Sequence, residues 1–233
     1  MKSSAKLNEK LFMTILALEF SSPQRSVAVV RGRAGEAASV VSEAVETGAG
    51  GTGAFAMIQS ALCEAQLERE QIEVLAVGLG PGSYTGIRVA LSLAQGWQLA
   101  GGVKLLGISS VECVAAQAQA EKILGLVNVV IDAQRNEFYL AAYEISADGW
   151  REIEPLRILT RAEVESRASA KEILIGPEVT RWFPNVRMVF PRAAMLGHLA
   201  LNRNDFAAGD KLEPIYLRET NFVKAPPSRR SVT

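Results

Sequence analysis

The sequence is poor in the residues that build metal sites and disulfide frameworks. Among its 233 residues are two cysteines, Cys63 and Cys113, and a single histidine, His198. With no CxxC pair and no second histidine, the composition argues against a zinc site. Both cysteines lie in helix-like apolar patterns, so we predict two buried thiols in a protein of a reducing compartment.

The chain also lacks a net charge and a long hydrophobic run. Lys plus Arg equals Asp plus Glu, at 25 each, so the protein has no broad electrostatic field for RNA or an anionic membrane. The apolar run near the N-terminus stops at Glu19, too short to span a bilayer and without a cleavage site for a signal peptide. We therefore expect a cytoplasmic protein without a membrane segment, whose basic residues Lys224, Arg229 and Arg230 lie in a frayed tail.

A unit of strand, acid, turn and strand occurs twice in the sequence. In "FMTILALEFSSPQRSVAVV" an apolar strand ends at Glu19, and in "LVNVVIDAQRNEFYLAAY" a second one ends at Asp132. Helices and further strands alternate after each hairpin. This order predicts an internal duplication that builds two α/β lobes. We predict helices at 54–67, 84–100 and 192–206, strands at 37–45, 74–79, 152–159 and 172–175, and a capping box of Thr160 and Glu163.

The glycine loop "GLGPGSYTG", residues 78–86, lies between a predicted strand and a predicted helix. That context suits phosphate binding, because amides at a helix N-terminus point outward. However, no lysine follows the loop as a P-loop requires, and no acid stands about twenty residues later as a dinucleotide fingerprint requires. The alternative is structural: the turn around Gly82 orients the helix, and Ser83 or Thr85 caps it.

The helix that follows the loop is apolar or small on nearly all sides. Its polar residues form one narrow stripe that begins at Arg88, and Gly86, Ala90 and Ala94 form a ridge of small residues. A helix of this kind must be buried on several sides, and a small-residue ridge lets a neighbouring helix approach closely. A second subunit and deep burial inside a two-lobed monomer both satisfy this requirement.

Five segments, in order, carry a resemblance to a known family. "GLGPGSYTGIRVALSLAQGW" resembles the GPGSFTGLR segment of the bacterial TsaB (YeaZ) family, and "ILALEFSSPQRSVAVV", "GISSVECVA", "VVIDAQRNEFYLAAY" and "EPIYLRE" are similar to other segments of it. The resemblance implies an α/β fold of the actin-like/hexokinase-like ATPase (ASKHA) type, with two related lobes and a degenerate nucleotide site. It implies an N-terminal lobe at 1–110 with partner-binding helices, a C-terminal lobe at 111–218 and a flexible tail at 219–233.

The resemblance also implies a function. Members of the family are non-catalytic subunits required for threonylcarbamoylation of the adenosine next to the anticodon in tRNA. By this resemblance the chain has no activity alone, dimerises with a TsaD-like catalytic homologue and recruits a TsaE-like ATPase. It binds no cofactor by itself, since ATP, ADP and magnesium are handled by partner subunits, and tRNA is reached through the complex. A homodimer of the isolated chain remains an alternative.

The implied partner interface comprises residues of the glycine loop and of the two helices of the first lobe. These are Phe55, Ile58, Leu62, Gly82, Tyr84, Gly86, Arg88, Val89, Ala90, Leu93 and Trp97. The sequence departs from the family where Glu19-Phe20 replaces Asp-Thr and where Asn136 replaces a turn glycine. Both departures weaken a catalytic reading.

Two alternative functions use the remaining candidate residues. An active ATPase or kinase would place metal-bound phosphate with Glu19, Gly82, Ser83 and Asp132. We favour the interpretation of Glu19 as an acid in a solvated turn, while a turn and a ligand role for Asp132 remain equally open. A peptidase would pair Ser83 with His198, which the pattern around His198 instead indicates to be a helix-surface or core residue.

Overall fold

The computed structural model describes residues 12–36, 38–48, 53–170, 172–184 and 186–217, which form two five-stranded β-sheets. The strands of the first sheet are β1 (Met13–Glu19), β2 (Gln24–Gly32), β3 (Ser39–Thr47), β4 (Val74–Gly78) and β5 (Lys104–Ile108). They lie in the order β3-β2-β1-β4-β5. β1, β2 and β3 pair antiparallel, and β4 and β5 continue the sheet in parallel with β1.

The second sheet repeats the topology of the first. Its strands are β6 (Gly125–Asp132), β7 (Glu137–Ser146), β8 (Gly149–Thr160), β9 (Ile173–Gly176) and β10 (Arg187–Met188). Counted from β8, the order is β8-β7-β6-β9-β10, with the hairpins antiparallel and the last two strands parallel. Glu19 and Asp132 end the equivalent strands β1 and β6. The predicted duplication is therefore confirmed.

Helices cover both faces of each sheet. They are α1 (Ala54–Glu64), α2 (Tyr84–Gly101), α3 (Ser110–Ala120), α4 (Arg161–Ser169) and α5 (Ala193–Ala200). Leu16 and Leu18 of β1 pack beneath α1 and α2, whereas Ile15 and Ala17 of the same strand pack against α5. This alternation is the period-two pattern of a strand buried on both faces. On the second sheet, α3 covers one face and α4 the other, and α3 contacts α5 between the sheets.

The end of the chain returns to the first lobe. After α5, the segment 207–217, which we call the strap, runs along α2. Ala207 N donates to Leu105 O over 3.0 Å, and Ile215 N donates to Leu79 O over 2.9 Å. Residues 193–217, which the sequence assigns to the C-terminal lobe at 111–218, therefore pack on the first sheet and its helices. The predicted tail, 219–233, lies outside the described residues.

Local signals in the sequence identified the helix caps but not every element. Ser83 caps α2 by accepting from Gly86 N over 3.2 Å, and Thr160 with Glu163 forms the predicted capping box of α4. The last helix is shorter than predicted, since it ends at Ala200, and β5 and α3 were not assigned from the sequence. Within the described ranges, no helix has the length and apolarity needed to cross a membrane.

The structure corrects the burial prediction for Cys63 and does not show the deep burial of α2 inside a two-lobed monomer. Cys113 is buried in α3, as predicted, but Cys63 is exposed, because it lies on the outer face of α1. α2 is not enclosed on several sides within this chain: one face packs on the sheet, and Arg88, Ser92 and Leu99 on the other face are exposed. The ridge of small residues in α2 faces the chain's own core and not another helix.

Candidate functional site

A cleft of about 1580 Å³ lies where the turns of the two equivalent hairpins meet the glycine loop. Gly82 and Ser83 of the loop line this cleft, and Asp132 lines it from the second hairpin. Glu19, the predicted partner of Asp132, does not belong to its lining. Three of the four candidate nucleotide-binding residues therefore line one cleft, and the fourth, Glu19, does not line it.

Glu19 is fully buried beneath the glycine loop. Its Oε1 accepts from Ser21 N over 2.7 Å, and its Oε2 accepts from Ser110 Oγ over 2.8 Å. Burial raises the pKa of the Glu19 carboxyl, and the bonds from Ser21 and Ser110 partly offset that rise. The interpretation of Glu19 as an acid in a solvated turn is therefore wrong: the side chain points into the protein and meets Gly78, where a β-carbon would lie 2.1 Å from Oε2.

The backbone of the glycine loop is bonded to the protein itself. Gly80 N donates to Ser110 Oγ over 3.1 Å, and Ser83 N donates to Ser21 O over 2.7 Å. At Gly82, where φ is +148°, a β-carbon would lie 2.1 Å from Ser21 O, so the loop is pressed against the first hairpin. These contacts support the structural interpretation of the loop.

Asp132 sits in a tight turn at the end of β6. Its Oδ1 accepts from Gln134 N over 2.7 Å, and residues 134–136 all have φ near +60°, a conformation that Asn136 tolerates without glycine. Of the two equivalent acids that end β1 and β6, Asp132 lines the cleft and Glu19 does not. No cluster of three metal-ligating side chains occurs in the part of the chain that the structure describes.

A peptidase site is contradicted by the placement of its two candidate residues. Ser83 begins α2, which packs on one face of the first sheet, whereas α5, which carries His198, packs on the opposite face. His198 is exposed on α5, as one of the two structural interpretations predicted. Ser83 Oγ accepts from Gly86 N as a helix cap. A general base next to the serine is thus not supplied by His198.

The outer faces of α1 and α2 carry exposed and half-buried apolar side chains. Phe55 is 77% exposed and Leu99 is 89% exposed, although both are large apolar residues. Val89, Leu93 and Trp97 are half-buried and pack against the core from the rim of α2. We call these five residues the helical face. Apolar side chains at a surface are typical of a protein–protein contact where they form one contiguous patch.

Four residues of the predicted interface are not available at this surface. Ile58, Leu62 and Ala90 are buried and belong to the core between the helices and the first sheet. Gly86 is buried where α2 approaches β1 so closely that a β-carbon would lie 2.0 Å from Phe20 O. The structure therefore places these four in the core, and apolar residues of an amphipathic helix show the same spacing whether they face inward or outward.

The remaining predicted interface residues cluster at the start of α2. Gly82 is half-buried, while Tyr84, at 58% exposure, and Arg88 are exposed. Tyr216 of the strap stacks on Tyr84, with ring centroids 5.6 Å apart and planes inclined by 25°. Arg88 Cζ lies 4.1 Å from the centroid of Tyr84. Tyr216 was missed as a site residue, although it lies in the segment "EPIYLRE" that carries part of the resemblance.

The sequence and the fold of this chain are similar to those of known proteins. The family model described as "TsaD: tRNA N6-adenosine threonylcarbamoyltransferase" matches residues 54–206. The tRNA threonylcarbamoyladenosine biosynthesis protein TsaB of Haemophilus influenzae is 32% identical over 195 residues, covering 73% of this chain and 80% of that protein. TsaB of Escherichia coli is 28% identical over 193 residues, covering 74% of this chain and 82% of that protein. The solved structure of YeaZ from Pseudomonas aeruginosa superposes with a TM-score of 0.70 at 25% identity, covering 88% of this chain and 100% of that one.

The duplicated five-stranded sheets, each with helices on both faces and joined at a cleft, define a two-lobed α/β protein. The chain belongs to the TsaB (YeaZ) family within that class.

Proposed function

We propose that this chain is a non-catalytic subunit of the cytoplasmic machinery that makes threonylcarbamoyladenosine in tRNA, and that it docks on a TsaD-like catalytic homologue through the helical face. The relatives named for this biosynthesis support the process. The observation that carries the docking role is the exposure of Phe55 and Leu99 on the outer sides of α1 and α2. Recruitment of a TsaE-like ATPase to the same complex, and access to tRNA through it, belong to this proposal.

Hydrophobic burial would drive the association. Apolar surface removed from water contributes about 25 cal/mol per Å², and a standard interface buries about 800 Å² on each partner. Side chains such as Phe55 and Leu99, which the chain's own core leaves uncovered, supply apolar area of this kind. The same face would support a homodimer when the partner is absent, which makes the homodimer a competitor of the heterodimer.

The proposal gives the cleft no catalytic role. Glu19 is engaged by Ser21 and Ser110, and the amides of Gly80 and Ser83 bond to the protein. These contacts support a chain that binds no nucleotide by itself, so that ATP, ADP and magnesium are left to partner subunits. An active ATPase or kinase is the competing function, and nucleotide titration of the isolated chain distinguishes the two.

Co-purification with the TsaD-like subunit of the same genome tests the docking role. Phe55→Asp and Leu99→Asp introduce charge at exposed positions, so they should leave the fold intact and abolish co-purification. Ile153→Asp is the matched control, because Ile153 is an exposed apolar residue of β8 in the second lobe. Retention of the partner by all three variants would refute the docking proposal. Loss of the modified nucleoside from tRNA when the gene is deleted, measured by mass spectrometry, tests the process itself.

A further inference from the structure

At the start of α2, side chains of the helix contact a side chain of the C-terminal strap. Tyr84 and Arg88 come from the first lobe, and Tyr216 comes from the strap; we call these three residues the Tyr84 cluster. The strap is fixed just before Tyr216, where Ile215 N donates to Leu79 O over 2.9 Å. Earlier in the strap, Gly209 N donates a hydrogen bond to Gln98 Oε1 of α2 over 2.8 Å. The strap thus brings Tyr216 to the N-terminal end of α2.

Arg88 is held in place by two aromatic side chains and not by an acid. Its guanidinium lies over the ring of Tyr84, and interaction with Tyr216 raises the pKa of Arg88 above its usual value. Arg192 and Arg203 are paired with acids, Arg192 with Glu43 and Arg203 with Glu112. Among the described residues, no carboxylate forms an ion pair with Arg88.

A fixed, exposed guanidinium without an acidic partner is suited to bind one from outside. The planar guanidinium forms two parallel hydrogen bonds with a carboxylate, and pre-organisation reduces the side-chain entropy lost on binding. Tyrosine and arginine are also the residue types that most often dominate binding at protein interfaces. The cluster adjoins the helical face, because Arg88 and Leu99 are both exposed and lie about three turns apart on the same side of α2.

We propose that the Tyr84 cluster is a composite docking point that receives a carboxylate side chain of the partner subunit, with Tyr216 of the strap as the residue that positions Arg88. This inference rests on the proposed docking role and adds the chemistry of one contact and the contribution of the C-terminal strap. The docking surface then includes the strap as well as the helices of the first lobe.

The charges around the cleft favour a protein carboxylate over the phosphates of RNA. Asp132, Glu137 and Glu178 also line the cleft beside the cluster. Arg25 and Arg135 line it as well as Arg88, so the lining is balanced in formal charge and presents no net positive field to an extended polyanion, whereas a single carboxylate can pair with Arg88 at short range. The occupant is therefore a folded acidic or mixed-charge protein surface.

Calorimetric titration of the full-length chain with the TsaD-like subunit tests the inference. Arg88→Glu should raise Kd about tenfold or more, because a like charge then faces the partner's carboxylate. Tyr216→Ala should raise Kd by about fivefold through loss of the positioned guanidinium, and Tyr216→Phe, which keeps the stacked ring, should lie between Tyr216→Ala and wild type. Arg151→Glu is the control, since Arg151 is an exposed arginine of β8 in the second lobe.

The outcomes separate this inference from the proposed function. If wild type does not bind the partner, the docking role itself fails. If wild type binds and Arg88→Glu binds equally well, the docking role stands and the carboxylate contact is overturned. Weaker tRNA binding by the complex, with unchanged protein–protein affinity, would show that Arg88 contacts phosphate and would also overturn it. Reversal of one acid on the partner should restore the affinity of Arg88→Glu, and thermal melts establish that each variant is folded.

Discussion

Ser110 Oγ donates a 2.8 Å hydrogen bond to Glu19 Oε2, although the two residues are 91 positions apart in the chain. The same hydroxyl accepts from Gly80 N, so one serine joins β1, the glycine loop and α3. Glu19 ends β1 in the place that Asp132 occupies at the end of β6. In the first lobe, Glu19 therefore links buried elements by hydrogen bonds and does not line the cleft.

Removing the Glu19 carboxylate should destabilise the protein strongly. Glu19→Ala leaves Ser21 N and Ser110 Oγ buried without their acceptor and opens a cavity, and we expect a loss of about 2–4 kcal/mol in the free energy of unfolding. Asp132→Ala is the matched control, because its half-buried turn leaves the backbone accessible to water, and it should cost less than about 1 kcal/mol. Equal losses in urea denaturation would contradict the role assigned to Glu19.

Glu19 should also make stability depend on pH. Because its pKa is raised in the folded state above the usual value of 4.5, the folded protein binds the proton more tightly than the unfolded chain. The stabilising contribution is therefore fully present below pH 4.5 and is lost as pH rises through the folded-state pKa. Denaturation curves of wild type and Glu19→Gln across this range should diverge, with wild type losing stability relative to the variant as pH increases. Parallel curves would show that Glu19 does not titrate abnormally.

Replacing two glycines of α2 by alanine should change the stability of the protein in opposite directions. A β-carbon at Gly86 would lie 2.0 Å from Phe20 O, so Gly86→Ala must displace backbone and should cost more than about 2 kcal/mol. Gly96 is exposed with nothing within 4 Å of the same position, and Gly96→Ala should stabilise the helix by about 0.5–1 kcal/mol. Thermal unfolding of the pair measures both, and a stable Gly86→Ala protein would argue against the close approach of α2 to β1.

The two thiols should differ sharply in reactivity. Cys63 is exposed on α1, whereas Cys113 is buried and burial raises its pKa well above the usual range. In the folded protein a disulfide reagent should modify Cys63 quickly and Cys113 only after unfolding. Cys63→Ser identifies the fast phase, which should disappear in that variant. A fast phase that survives would place Cys113 in contact with solvent.

Nucleotide should not bind to the isolated chain with useful affinity. Calorimetric titration with ATP and magnesium is expected to give no saturable heat, because Glu19 and the loop amides are already bonded within the protein. The titration is repeated with Asp132→Asn as the control for the remaining cleft acid. Micromolar binding that this variant abolishes would favour the ATPase or kinase alternative.

The features that sequence alone could predict are those with local signals. Strands ending in Glu19 and Asp132 revealed the duplication, and Ser83 and Thr160 marked helix starts because caps act within three residues. The environment of Glu19 could not be predicted, since a buried carboxylate is rare and its partner Ser110 is distant in the chain. The inward orientation of Ala90 was missed because both faces of α2 are apolar enough to be either surface or core.

The return of α5 to the first sheet has a consequence for how the protein is made. Ile15 and Ala17 in β1 are synthesised long before Leu196 and Ala200, which cover them. The N-terminal lobe therefore cannot complete its fold on the ribosome while the second lobe is still being translated. A fragment ending at residue 110 would lack α5, so we expect the face of its sheet that α5 covers to be exposed and prone to aggregate.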